Sequence, residues 1–177
     1  MGRGAEGGHV KYETEAREHI RSGDLLAWGH DRWGSFYDLK IQCVRMFTRS
    51  EYCHVWIAWV IAGRVFVLEA VSNGVRNFPL SRLLPFYWIP LRATWESEVE
   101  AWALRQLGEP YSEWQAVLGG LGLLKPGEDR IWQCAEYAAE VARRAGVELG
   151  IDVTPNAVVR AAQRLPGTVT HFVEADE

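Results

Sequence analysis

A chain of 177 residues is long enough to bury a core and fits one domain. Its net charge of -4 argues against a phosphate-tracking surface, so nucleic acid is not an expected partner. Three cysteines, Cys43, Cys53 and Cys134, include no CxxC pair, which suits neither a disulfide scaffold nor a thiolate zinc site. No metal or other cofactor is therefore expected, and a Cys43–Cys53 bridge is the minor alternative.

Residues 1–10 are Gly-rich, lack an apolar h-region and read as a floppy lead-in, followed by a short polar helix over Lys11–Arg21. The division that follows is a lead-in over 1–21 and a single domain over 22–177. Asp24 to Trp28 is a compact apolar run after the Ser22-Gly23 break and predicts a strand, whereas Leu39 to Phe47 has helical spacing. His54 to Val60 and Arg64 to Ala70, rich in β-branched and aromatic residues, predict an antiparallel hairpin around Ile61-Ala62-Gly63. With a two-residue Ala62-Gly63 turn, Ile61 pairs with Arg64, and His54 and Glu69 lie diagonally on one face. A three-residue turn puts them on opposite faces, and both registers stay open.

Further strands are expected at Gly74–Pro79, at Phe86–Leu91 and at Thr168–Val173, with a helical turn at Ser81–Leu84. Pro90 favours a strand end or an edge. Helices are expected over Thr94–Leu107 with Thr94 as N-cap, over Glu113–Leu118, around Cys134, and from Thr154-Pro155 to Leu165. Gly119–Gly122 lacks the lysine and hydroxyl of a phosphate loop and reads as a connection or lid. Strands followed by helices give an α+β fold class with an antiparallel sheet, open or barrel-like, and the Cys helix packed on it. No stretch reaches the ~18 apolar residues of a membrane span, so the default expectation is a cytoplasmic protein, with a phage particle or non-classical export as alternatives.

Cys134 opens a helix whose small residues Ala135, Ala138, Ala142 and Ala145 recur at three- and four-residue steps, with Gly146 as its C′ residue. Unpaired N–H groups at a helix start favour a thiolate, which is the nucleophilic form. The competing reading is a small core residue at a helix–sheet contact. His54 at the head of one strand and Glu69 near the end of the next complete a set of nucleophile, base and orienter. Nine Trp exceed what a core usually needs, so Trp56, Trp88 and Trp132, with Tyr111, are candidate substrate-binding residues, against packing as the plain alternative.

Six stretches in this order resemble the circularly permuted papain-like branch of the NlpC-type cysteine hydrolases, the YiiX/YebB-like proteins. They are Ser22-Gly23-Asp24-Leu25-Leu26, Cys53-His54-Val55-Trp56-Ile57, Val67-Leu68-Glu69-Ala70 with Gly74-Val75, Gly108-Glu109-Pro110-Tyr111-Ser112, Trp132-Gln133-Cys134-Ala135-Glu136 and Thr154-Pro155. The resemblance implies Cys134 as nucleophile, His54 as general base and then acid, and Glu69 as the residue that orients it. Two positions depart from the pattern: Trp56 stands where a small Gly is usual, and Ala135 where Ser is common. The implied activity is a cysteine amidase or peptidase acting on a cell-wall peptide or a small amide through a thioester. Its alternatives are acyl transfer between lipids, as in the related lecithin:retinol acyltransferase-like proteins, whose third residue is usually a second His, or a non-catalytic module that keeps the fold.

Overall fold

The computed structural model describes residues 5–29, 51–71, 73–109, 133–150 and 154–176. The seven strands are β1 (Ala5–Lys11), β2 (Leu25–Trp28), β3 (His54–Ile61), β4 (Arg64–Val71), β5 (Gly74–Pro79), β6 (Phe86–Ile89) and β7 (Val169–Glu174), and they form one sheet in the order β1-β7-β6-β2-β3-β4-β5. The described helices are α1 (Ser97–Arg105), α2 (Cys134–Arg144) and α3 (Pro155–Gln163), with a π-helical turn at Tyr12–Ala16 and a 3-10 turn at Leu80–Arg82. The expected α+β class with an antiparallel sheet holds in the main. The sheet does not close into a barrel, because β1 and β5 are its two edges, and the β1–β7 pair is parallel.

Both faces of the sheet are covered. Val55, Ile57, Leu68 and Ala70 turn to one side, where Ala135, Ala138, Val141 and Ala142 of α2 and Val158 and Ala162 of α3 meet them. Small residues on α2 let the helix approach the sheet closely, which is why the stripe is alanine rather than leucine. Leu26, Trp56, Ala58, Val67 and Trp88 turn to the other side and are covered by Tyr12, Ala16, Ile20 and Leu80.

That second layer corrects the reading of the N-terminus. Residues expected as a lead-in form β1, and Tyr12, Ala16 and Ile20, at helical spacing, enter the core at 2 %, 1 % and 0 % exposure. The Gly-rich stretch is an edge strand whose backbone comes in close: a Cβ on Gly7 would lie 2.6 Å from the carbonyl oxygen of Thr170.

Other boundaries shift. Helix α1 starts two residues later than the Thr94 cap requires, with Glu96 at the N-cap, and the Thr94 N–H donates instead to the Ala145 carbonyl at the end of α2 (2.9 Å). Thr154 does cap α3, accepting from Ala157 N–H at 3.2 Å with Pro155 following. Helix α2 ends as expected at Gly146, where the Val147 and Gly146 N–H groups return to the Ala142 and Arg143 carbonyls in a Schellman closure. The helices expected at Leu39–Phe47 and Glu113–Leu118, and the Gly119–Gly122 connection, lie outside the described residues.

Candidate active site

The β3–β4 hairpin determines which side chains meet. Ala62 and Gly63 both have positive φ (48° and 71°), the signature of a two-residue turn, and Ile61 pairs with Arg64. The register runs from there to Ile57 opposite Leu68 and stops. Beyond that point β3 stays paired to β2 through Val55 and His54, while β4 stays paired to β5 through Glu69, Ala70 and Val71. The neighbouring strands β3 and β4 therefore part at one end. Because Ala58 N–H donates towards β2, to the Asp24 carbonyl, alternation turns the Val55 N–H towards β4, into the opening.

The opening is where the three candidate residues converge. Parity places His54, Trp56 and Glu69 on the face away from α2, yet the Cys134 sulfur accepts the Val55 N–H and is hydrogen-bonded to the His54 imidazole. The thiol reaches from the helix face through the parted strands. On the far side of the ring, His54 Nε2 lies 2.9 Å from Glu69 Oε2, which leaves Nδ1 for the sulfur. His54 thus joins a thiol to a carboxylate, one on each nitrogen.

Electrostatics favours the charged pair. Burial pushes the Cys134 thiol up, but the His54 charge and hydrogen bond, with the Val55 and Ala135 N–H groups, outweigh it and bring the thiol below its ordinary value. Burial likewise disfavours the His54 imidazolium, and the Cys134 and Glu69 charges and hydrogen bonds overcome it, raising the imidazole. At Glu69, 2 % exposed, burial acts against the carboxylate and is overcome by His54 and Arg76, so its carboxyl titrates below the usual range.

Arg76 had no part in the expected site. It stands opposite Glu69 on β5, with Nε and Nη2 each 2.8 Å from Oε1. A two-residue link between Val71 and Gly74, which contains Asn73, makes the pairing countable from the sequence. Glu136 sits at the third helical position of α2 and accepts from the N–H of the N-cap residue Gln133, half of a capping box.

The aromatic candidates fall differently. Trp56 is 2 % exposed, packs among Leu26 and Phe86, and meets the His54 ring edge-on at 5.7 Å, so it backs the imidazole instead of lining a groove. Trp88 is 8 % exposed and donates its indole N–H to Asp24 at 2.9 Å. Both are corrections: the strand register sets the indoles on the second face of the sheet, and the layer of Tyr12, Ala16, Ile20 and Leu80 buries them. Trp132 and Tyr111 lie outside the described residues. Asp24, within the Ser22-Gly23-Asp24 stretch, is a structural knot, accepting from Arg21 N–H and Leu91 N–H as well as Trp88.

No protein-family model and no curated protein matches this sequence. Among solved structures the chain is similar to the metalloprotein YiiX from Escherichia coli O157:H7, a DUF1105 protein, with a TM-score of 0.57 and 18 % identity over 85 % of this chain and 95 % of that one. The fold is YiiX-like. That protein is called a metalloprotein; among the described residues of this chain no three His, Cys, Asp or Glu side chains are placed to hold a metal ion. Cys134 and Glu69 lie on opposite nitrogens of His54, and Arg76 occupies the other carboxylate oxygen, so the donors do not converge. Among the described residues no helix is long and apolar enough to cross a membrane.

Proposed function

We propose that this chain is a cysteine-dependent hydrolase of the permuted papain-like type, cleaving an amide bond in a cell-wall peptide or another small amide through a thioester. The observation that carries the reading is His54 bridging Cys134 and Glu69. The Cys134 thiolate adds to the carbonyl carbon, and the carbonyl electrons move to oxygen, where N–H groups at the start of α2, that of Cys134 among them, stabilise the oxyanion. Collapse expels the amine, which takes the proton from His54, leaving an acyl thioester and a neutral imidazole. His54 then removes a proton from water as it attacks the thioester; the carboxylic acid leaves, and the thiolate and imidazolium are restored. Glu69 keeps Nδ1 turned to the sulfur and stabilises the imidazolium. A carboxylate in this position, instead of a second His, favours the amide reading over lipid acyl transfer.

The test is acylation by p-nitrophenyl acetate, followed by peptide mapping and a substrate panel of peptidoglycan peptides, simple amides and phosphatidylcholine. The expected result is a burst of about one p-nitrophenolate per chain, an acetyl group on Cys134, no burst in Cys134→Ala, and turnover of an amide. Absence of both burst and adduct in the folded wild type contradicts the hydrolase; turnover of the phospholipid alone moves the assignment to lipid acyl transfer.

A further inference from the structure

We infer that Arg76 is a positioning residue for the thiolate–imidazole pair, acting through Glu69, which it grips from the neighbouring strand. The inference rests on the reading of Cys134 and His54 as a working pair, and it adds a fourth member that touches neither sulfur nor imidazole. The two carboxylate oxygens divide the work. Oε1 takes both Arg76 nitrogens at 2.8 Å, and Oε2 faces His54 Nε2 at 2.9 Å. Pinning one oxygen with a planar fork fixes the plane of the carboxylate and so the place of the other.

Arg76 is itself held. Its guanidinium lies over the Phe78 ring at 4.9 Å, and the adjacent residue of β5 is clamped by the chain that follows α1: Val75 N–H donates to the Glu109 carbonyl (2.9 Å) and Gly108 N–H to the Val75 carbonyl (2.8 Å). Gly74 makes that clamp possible, with φ of 104° and a position where a Cβ would lie 2.7 Å from the Glu109 oxygen. The Gly74-Val75 and Gly108-Glu109 stretches singled out in the sequence therefore hold one another beside Arg76. Without Arg76 a nearly buried carboxylate keeps one oxygen without its cation, turns more freely, and takes up a proton more readily. A neutral Glu69 no longer supports the imidazolium, and the thiolate loses its counter-charge. The charged and titratable groups facing Glu69 among the described residues are His54 from β3 and Arg76 from β5, with Cys134 of α2 beyond the imidazole.

The experiment is the pH dependence of Cys134 alkylation by iodoacetamide in wild type, Arg76→Ala, Arg76→Gln, Arg76→Lys, Glu69→Gln and the Arg76→Ala/Glu69→Gln double variant, each checked for folding by thermal melting. Arg76→Ala and Arg76→Gln are expected to raise the apparent thiolate pKa by about one pH unit, about tenfold slower alkylation on the acid limb, with Arg76→Lys between them and wild type. Glu69→Gln is expected to raise it too, and adding Arg76→Ala to it to change nothing further, as befits a residue acting through another. An unchanged titration in the folded Arg76 variants overturns the inference, and so does an undiminished shift in the Glu69→Gln background, which would mean a direct field. A wild-type thiolate that titrates like free cysteine fails the underlying reading instead, and the two failures are distinct.

Discussion

At the scale of single residues, His54 matters because both of its nitrogens are committed, and the sign of each shift follows from what they touch. The thiol is lowered and the imidazole raised, so the thiolate–imidazolium pair exists between the folded-state value of Cys134, below the free-thiol ~8.5, and that of His54, above the free-imidazole ~6.5. The rate of p-nitrophenolate release in the burst is accordingly expected to be level across neutral pH and to fall in acid as Cys134 takes up a proton, since p-nitrophenolate leaves without a proton from His54. Glu69 contributes in the same direction on the acid side. Its carboxyl is lowered, so its stabilising effect is present above the ordinary carboxylate range and lost as the pH falls through its folded-state value. Stopped-flow bursts from pH 4 to 11 check this; a fall centred near the free-thiol value contradicts it.

The Cys134, His54 and Glu69 set was legible because each has a local mark: a helix start, a strand start, and a hairpin whose two-residue turn brings the carboxylate onto the histidine's face. Arg76 was missed although its mark was equally local, since counting the β4–β5 register past Asn73 places it opposite Glu69. Trp56 and Trp88 were misplaced for another reason. A tally of indoles gives their number, whereas exposure depends on what covers the second face of the sheet, and that layer comes from Tyr12, Ala16 and Ile20, far away in sequence.

At the scale of elements, the β3–β4 ladder does two jobs by ending early. Its paired half sets the register, and its parted half lets the sulfur through to the Val55 N–H. Nothing in the residue pattern announces where two strands part, so this feature lay beyond sequence reading. The turn that begins β2 has its own fastening. Asp24, 4 % exposed, accepts three N–H groups, from Arg21, Trp88 and Leu91, and so ties the Ser22-Gly23 turn to β6 and the residue beyond Pro90. Asp24→Ala leaves those buried donors unpaired at a cost of roughly 3 kcal/mol, a fall in Tm of about 6–12 °C for a chain of this size. Asp24→Asn, which keeps an acceptor oxygen, is expected to lie between. Differential scanning calorimetry checks the order, and a change within about 1 °C for Asp24→Ala would remove Asp24 from the fastening.

At the scale of the whole molecule, one sheet carries a layer on each face, and the site sits where the two communicate. Helix α2 belongs to one layer and His54 faces the other, so the thiol and the imidazole meet only if both layers are docked on the same parted strands. The N-terminal segment is part of this arrangement, through β1 on the edge of β7 and Tyr12, Ala16 and Ile20 over Leu26 and Trp56. Its glycines and polar surface disguised it as a lead-in, since a close backbone approach such as that at Gly7 looks in sequence like flexibility.

The pairing of Cys134 with His54 is tested most directly by the apparent pKa of Cys134, followed by iodoacetamide alkylation against pH in wild type and His54→Ala. Wild type is expected to titrate well below the free-thiol ~8.5, and His54→Ala to return the thiol to that value or above it, where burial alone would push it. A wild-type thiol near 8.5 that His54→Ala leaves unmoved would contradict the ion pair, and with it the hydrolase.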